Sequence, residues 1–258
     1  MIVFGAIAPH GGPIFDEPES PTRKGMEELG RRFAAADPEA VIVLTPHGFQ
    51  VDGHVAVVRS GRIKGDARPW TEADTEIDLP GDPELADACV EALHAAGLPA
   101  VGVLFGTAVV QGWPMPLDWG TVIPLWFMRA PAVVVTPTHA LSNEDQVRAG
   151  AALAAATGDR RVALIASADH GHGHTLDAPY GHSEASKPYD DGIVDLVRGN
   201  RLGELVGWDV QFARDAKADS FWQLLMLHGA LADGFDSDLI SYDVPSYFGM
   251  LTASFTPR

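Results

Sequence analysis

Two apolar runs in this chain end in the same way, and that repetition constrains the fold more than any bulk property. Ile2-Val3-Phe4-Gly5-Ala6-Ile7-Ala8 runs into Pro9-His10-Gly11, and Ala40-Val41-Ile42-Val43-Leu44 runs into Thr45-Pro46-His47-Gly48. A short, continuous apolar run without alternation reads as a strand buried on both faces. Proline has no N–H to give to the ladder and ends each strand; glycine permits the tight exit. Between the runs, Met26, Leu29, Phe33 and Ala34 recur at helical spacing, so Ser20 to Ala36 is expected to be a crossover helix. The two strands are then parallel, and both histidines sit at the carboxyl edge of the sheet, where α/β proteins place ligands. One Pro-His-Gly alone is more simply a satisfied strand-end histidine. Two imidazoles converging on one point suit a divalent metal.

The rest of the chain continues the alternation. Strands are expected at Val51 to Val58 (bent at Asp52-Gly53), Val101 to Phe105, Ala132 to Val135 and Val162 to Ile165. Helices are expected at Asp82 to Ala96, Asn143 to Ala156, Tyr189 to Val197 and Ala218 to Leu231, and Leu239 to Tyr242 with Tyr247 to Phe255 reads as a closing strand pair. Strands alternating with helices predict an α/β fold, a single domain over 1–258 with a central, mainly parallel or mixed sheet flanked by helices. The Pro- and Gly-rich stretches Gly106 to Gly120 and Ala168 to Pro188 are expected to be ordered site loops.

Charge and cysteine content exclude several classes. Eighteen basic against thirty-five acidic residues give a net charge of −17, which repels phosphate backbones and anionic lipid, so neither a nucleic acid nor a membrane is expected as a partner. The single cysteine, Cys89, permits no disulfide framework and no zinc ribbon. The apolar start, Met1 to Ala8, lacks a basic flank and is too short for a signal peptide or a span, and a cytoplasmic location is expected. No G-x-S-x-G elbow, P-loop or G-x-G-x-x-G is present.

A third cluster, Ser167-Ala168-Asp169-His170-Gly171-His172-Gly173-His174, follows the strand at Val162. In an extended segment the three histidines face one way, and only one need reach the site. Asp169 is placed to orient a ring. A carboxylate is needed to complete a two-His-one-carboxylate face with open positions. Asp219, at the start of the last helix, is the first candidate, against the alternative that it caps that helix; Glu184 and Asp118 are the alternates. His54, His94 and His228 read as satisfied or surface groups, whereas His139 and His182 are placed to line the same edge.

These segments resemble the class III extradiol ring-cleavage dioxygenases, the LigB-type catalytic subunit superfamily. The likeness runs from Ile7-Ala8-Pro9-His10 through Val43 to Gly48, then Leu117-Asp118-Trp119-Gly120 with Ile123-Pro124-Leu125. It continues in Ile165 to Asp169 with His172, Asp177-Ala178-Pro179-Tyr180-Gly181, Leu224 to Leu231 and Tyr247 to Leu251. The resemblance implies that His10 and His47 ligate iron, with Asp219 as the third ligand, and that His172 is the catalytic acid/base with Asp169 beside it. Two positions depart from the pattern: the family commonly has glutamate near Asp219, and many members have histidine where Trp119 stands.

What the resemblance implies chemically is an Fe(II) enzyme that opens a catechol-type ring with O2, with Trp119, His139 and His174 against the substrate and Phe221 and Trp222 as further wall. Specificity would rest on the loops Gly106 to Trp119 and His174 to Pro188. It also implies self-association and, in some members, a small partner subunit. Zn(II) is the alternative ion, in relatives acting on an aromatic diol or as hydrolases, and Memo-like members bind or scaffold without turnover.

Overall fold

A computed structural model describes residues 1–68, 70–106 and 113–258. The strands are β1 (Ile2–Ala8), β2 (Ala40–Leu44), β3 (Val55–Val58), β4 (Arg62–Gly65), β5 (Ile77–Pro80), β6 (Ala100–Val103), β7 (Met115–Pro116), β8 (Ala132–Thr136), β9 (Val162–Ser167), β10 (Phe235–Asp243) and β11 (Met250–Pro257). The helices are α1 (Pro13–Asp16), α2 (Pro21–Ala36), α3 (Pro83–Ala95), α4 (Trp119–Phe127), α5 (Asn143–Ala156), α6 (Ser186–Arg198), α7 (Val210–Asp215) and α8 (Phe221–Leu231). One 3-10 turn, Leu202–Gly207, precedes α7.

The main sheet runs in the order β10-β11-β1-β9-β2-β8-β3-β6. Its centre, β1-β9-β2-β8, is parallel, while β11 and β3 join it antiparallel, so the α/β sheet is mixed. The two Pro-His-Gly strands are indeed parallel but not neighbours: β9 lies between them and pairs with both. A smaller sheet, β5-β4-β7, packs to one side.

Strand alternation divides the core in two. Ile42, Leu44, Val133, Val135, Leu164 and Ala166 face the layer of α3, α5, α6 and α8. Val41, Val43, Val134, Ala163 and Ile165 face Met26, Leu29 and Phe33 of α2, Val122 and Ile123 of α4, and the small sheet. With both faces covered, the central strands read as continuous apolar runs.

Local signals set the helix ends. Ser20, Asp82 and Ser142 accept hydrogen bonds from the backbone of their first turns, and Pro21 and Pro83 open α2 and α3. Gly97, at φ 72, stops α3. Helix α8, which begins just after Asp219, is pressed against α5: a Cβ on Gly150 would meet the Met226 carbonyl at 1.8 Å, and one on Gly229 would meet that of Val147 at 1.9 Å. Such backbone contact fixes where α8 starts and so where Asp219 sits.

Candidate metal and substrate site

Strand order explains the convergence. Three adjacent strands, β1, β9 and β2, release their carboxyl ends side by side, carrying His10, Asp169 and His47. Asp219 stands two residues before α8. His10 Nε2, His47 Nε2 and Asp219 Oδ2 form a triangle with edges of 3.1, 3.2 and 3.4 Å. Donors about 2.0–2.2 Å from one ion at ordinary coordination angles lie roughly 3.0–3.5 Å apart, so these three groups fit a divalent cation.

The surrounding hydrogen bonds aim each donor. Ser167 Oγ spends its only proton on the Gly120 carbonyl, so toward His10 Nδ1, 2.9 Å away, it can only accept. His10 Nδ1 therefore carries a proton, and Nε2 is the nitrogen turned to the triangle. The Asp169 N–H donates to Asp219 Oδ1 at 3.0 Å, which leaves Oδ2 for the histidines. Asp169 itself is buried, accepts from the His10 N–H at 3.0 Å, and holds Oδ2 3.5 Å from His10 Nε2.

Electrostatics point the same way. Burial alone lowers the His10 pKa, but Asp169 and Asp219 override it and push it up to about 9. Burial opposes ionisation of Asp219, yet His10 and His47 hold its pKa well below the carboxylate range. Burial pushes Asp169 up, against the attraction of His10. His10 Nε2 and His47 Nε2 lie 3.1 Å apart with Asp219 Oδ2 beside both, so the negative surroundings favour one positive charge there, a proton or a cation in its place.

Two cavities flank the triangle. The smaller, about 220 Å³, is lined by His10, His47, Trp70, Trp119, His172 and Phe248 among others. The larger, about 600 Å³, is lined by His47, His139, His172, Arg214, Lys217 and Trp222 among others. Trp119 stacks on His47 with ring centres 4.1 Å apart and tilts against Trp70 at 4.8 Å. His172 lies flat on Phe248 at 5.1 Å and His139 on Trp222 at 3.5 Å. Gly12 is required by close approach, since a Cβ there would meet the Trp70 carbonyl at 2.0 Å.

Several expectations change. The three histidines of the β9 exit do not share a face, because the segment is bent rather than extended. His170 is buried with Nδ1 3.0 Å from Ser220 Oγ, and only His172 lines the cavities. His174 turns away from the expected substrate position: its Nε2 lies 2.9 Å from Asp190 Oδ2, a hydrogen bond under the loop. Asp219 does not cap α8; Ser220 occupies that position, with its hydroxyl committed to His170 and Tyr189. Asp118 caps α4 and accepts from Thr45, and Glu184 is exposed, so neither alternate joins the triangle. Exposed His182 lies outside both cavity linings. Phe221 is core, whereas Trp222 reaches the larger cavity. The Gly106 to Trp119 loop falls partly outside the described residues. Trp70, Arg214 and Lys217 escape sequence reasoning, for they carry no periodicity or motif. Ser167 stands at the head of the His-rich cluster, and that position is its available signal.

A mixed α/β sheet carries at its carboxyl edge a His-His-Asp group that could hold a metal ion, and comparison with known proteins gives the family. Residues 6–251 match the family model described as the catalytic LigB subunit of aromatic ring-opening dioxygenase, and the chain belongs to that family. A 2-aminophenol 1,6-dioxygenase alpha subunit from a Pseudomonas species is 25% identical over 229 residues, covering 84% of this chain and 79% of that protein. A protein of Clostridium acetobutylicum is 22% identical over 229 residues, covering 86% of this chain. The matched region spans only 49% of that clostridial protein. An uncharacterized protein of Escherichia coli K12 shares the fold with a TM-score of 0.66 at 16% identity, covering 98% of this chain and 99% of its own. Among the described residues no helix is long and apolar enough to cross a membrane.

Proposed function

We propose that this protein is a non-haem Fe(II) extradiol dioxygenase that opens a catechol-type ring with O2. The observation that carries the reading is the triangle of His10, His47 and Asp219 at the wall of an aromatic-lined cavity of about 220 Å³. A void of roughly 150 Å³ accepts benzene, so this one accommodates a single substituted ring. The membership in a ring-opening family, and the aminophenol named for the Pseudomonas relative, support a ring with two adjacent donor atoms.

Fe(II) held by His10, His47 and Asp219 would supply charge that favours an ionised phenol, with coordination positions left open. The protein's own residues do the rest. Trp119 and Trp70 wall one side of the ring site and Phe248 lies on the other lining. His172 Nδ1 is buried without a hydrogen-bond partner, so proton exchange with a ligand falls to Nε2. In this reading Nε2 takes a proton from a substrate hydroxyl and returns it as the ring opens. Asp169 holds the His10 backbone and the Asp219 side chain in register through its two hydrogen bonds. Tyr180, Tyr247 and Phe248 pack their rings around His172.

The test is anaerobic reconstitution with Fe(II), followed by oxygen uptake on a panel of catechols and 2-aminophenol. The wild type is expected to consume oxygen and form a yellow ring-fission absorbance. His10→Ala abolishes both through loss of metal, and His172→Ala lowers turnover about 10²–10⁴-fold with metal retained. Metal binding through His10 with no uptake on any ring would overturn the dioxygenase reading in favour of a zinc-type or Memo-like protein.

A further inference from the structure

Helix α7 ends on a residue that its backbone does not favour. Lys217 N donates to the Arg214 carbonyl at 3.0 Å and Ala218 N to that of Ala213 at 3.0 Å. In this paired closure the residue past the cap takes left-handed backbone and is usually glycine. Here it is Lys217, at φ 58. Asp37 and Asn200 also take positive φ, but a short polar side chain tolerates it through local hydrogen bonds, which lysine does not make. The position therefore holds a lysine at a conformational cost.

What the lysine gains lies across the loop that follows His172. Its ammonium donates to the Tyr180 carbonyl and, at 2.7 Å, to that of Gly181, and its charge strengthens both bonds. The base of the loop is held separately. Ser183 Oγ donates to the Asp215 carbonyl at 2.6 Å, and Ser186 Oγ and His172 N both donate to that of Ala216, at 2.9 and 3.0 Å. Among the described residues, no other hydrogen bond joins the tip, Tyr180 and Gly181, to a residue outside the loop. The tip matters because Tyr180 lines both cavities, with its ring centre 6.0 Å from that of His172 and 6.3 Å from that of Tyr247. Tyr180 is 64% exposed, so packing holds its ring weakly and its place follows from its backbone.

We infer that Lys217 is a positioning residue: it clamps the Tyr180 turn to the segment that carries Asp219, and so holds the Tyr180 ring beside His172 as a wall shared by the two cavities. Two residues of chain then join the metal-facing carboxylate to the clamp on the substrate wall. This rests on the proposed ring site for what Tyr180 faces, but the clamp is read without turnover. Its loss should loosen the fit of a ring and not the hold on an ion, because Asp219 is aimed by the Asp169 N–H, which Lys217 does not touch.

The experiment compares wild type, Lys217→Met, Lys217→Gly and Lys217→Arg by three readouts: hydrogen exchange of the Gly181 amide, which closes the turn on the Ala178 carbonyl at 2.8 Å, thermal melting, and anaerobic calorimetry of catechol binding to the Fe(II)-loaded protein. Lys217→Met and Lys217→Gly should each speed that exchange about tenfold and weaken catechol binding about tenfold, with Fe(II) affinity unchanged. Lys217→Arg, which keeps a charged donor, should stay near the wild type in both. Lys217→Gly relieves the left-handed backbone and should melt above Lys217→Met, yet bind catechol no better, so that affinity follows the ammonium and not stability. Unchanged exchange in Lys217→Met, a catechol affinity that tracks the melting temperature, or Lys217→Arg behaving as Lys217→Met overturns the clamp. Oxygen uptake, run in parallel, separates the two claims. A wild type that binds catechol through the clamped turn but consumes no oxygen defeats the dioxygenase alone. A faster-exchanging turn with unchanged catechol affinity defeats the positioning role alone, and a wild type that binds no catechol removes the ring site and the positioning role together.

Discussion

The Ser167 hydroxyl stands 2.9 Å from Nδ1 of His10 and, with its proton committed to Gly120, accepts from that ring. The proton on His10 Nδ1 is thus held by the strand between the two histidine strands. Ser167→Ala should lower Fe(II) affinity about 10–100-fold while changing the thermal unfolding of the ion-free protein little. Metal titration beside a melting curve checks this. Unchanged affinity would mean that the hydroxyl does not govern the ring.

Metal binding should release a proton. In the ion-free protein the carboxylates hold His10 at about 9 despite its burial, so at neutral pH its ring is protonated. An ion that takes Nε2 displaces that proton. Apparent affinity therefore rises with pH, about tenfold per unit for one proton, and levels off above about pH 9. Dissociation constants measured from pH 6 to 10 decide the matter, and a flat profile would contradict the assignment.

Asp190 is buried and accepts from Gly171 N at 2.7 Å, His174 Nε2 at 2.9 Å and Tyr242 Oη at 2.8 Å. Its partners bracket His172 in sequence, so it anchors the loop that presents that ring. Removing the acceptor leaves buried donors unsatisfied, at about 1–3 kcal/mol. Asp190→Ala should lose stability on that scale in urea unfolding. Asp190→Asn, which keeps the shape, should retain metal but reduce turnover. A fully active Asp190→Asn would show that the loop needs no such anchor.

How much of this was legible in the sequence follows from which signals are local. Strands β1 and β2 end in Pro-His-Gly, so both histidines and the carboxyl edge could be read directly. That β9 inserts between them could not, since strand order is set by long-range packing. Helix α4 was hidden because it is apolar almost all round and carries Pro124 inside. The two-residue spacing of His170, His172 and His174 misled, because a bend sends the outer two to Ser220 and Asp190. Asp219 was visible through its place before α8 and the family resemblance, but its orientation depends on the Asp169 backbone. Trp70 comes from one segment and Arg214 with Lys217 from another, and only folding brings them to the cavities.

The most direct measurement is product analysis under ¹⁸O2. Fe(II)-reconstituted protein, given a catechol it consumes, should yield a ring-opened semialdehyde acid carrying both labelled atoms, with the ring cut beside rather than between the hydroxyls. A product with an intact ring, with cleavage between the hydroxyls, or with no label from O2 would contradict the account.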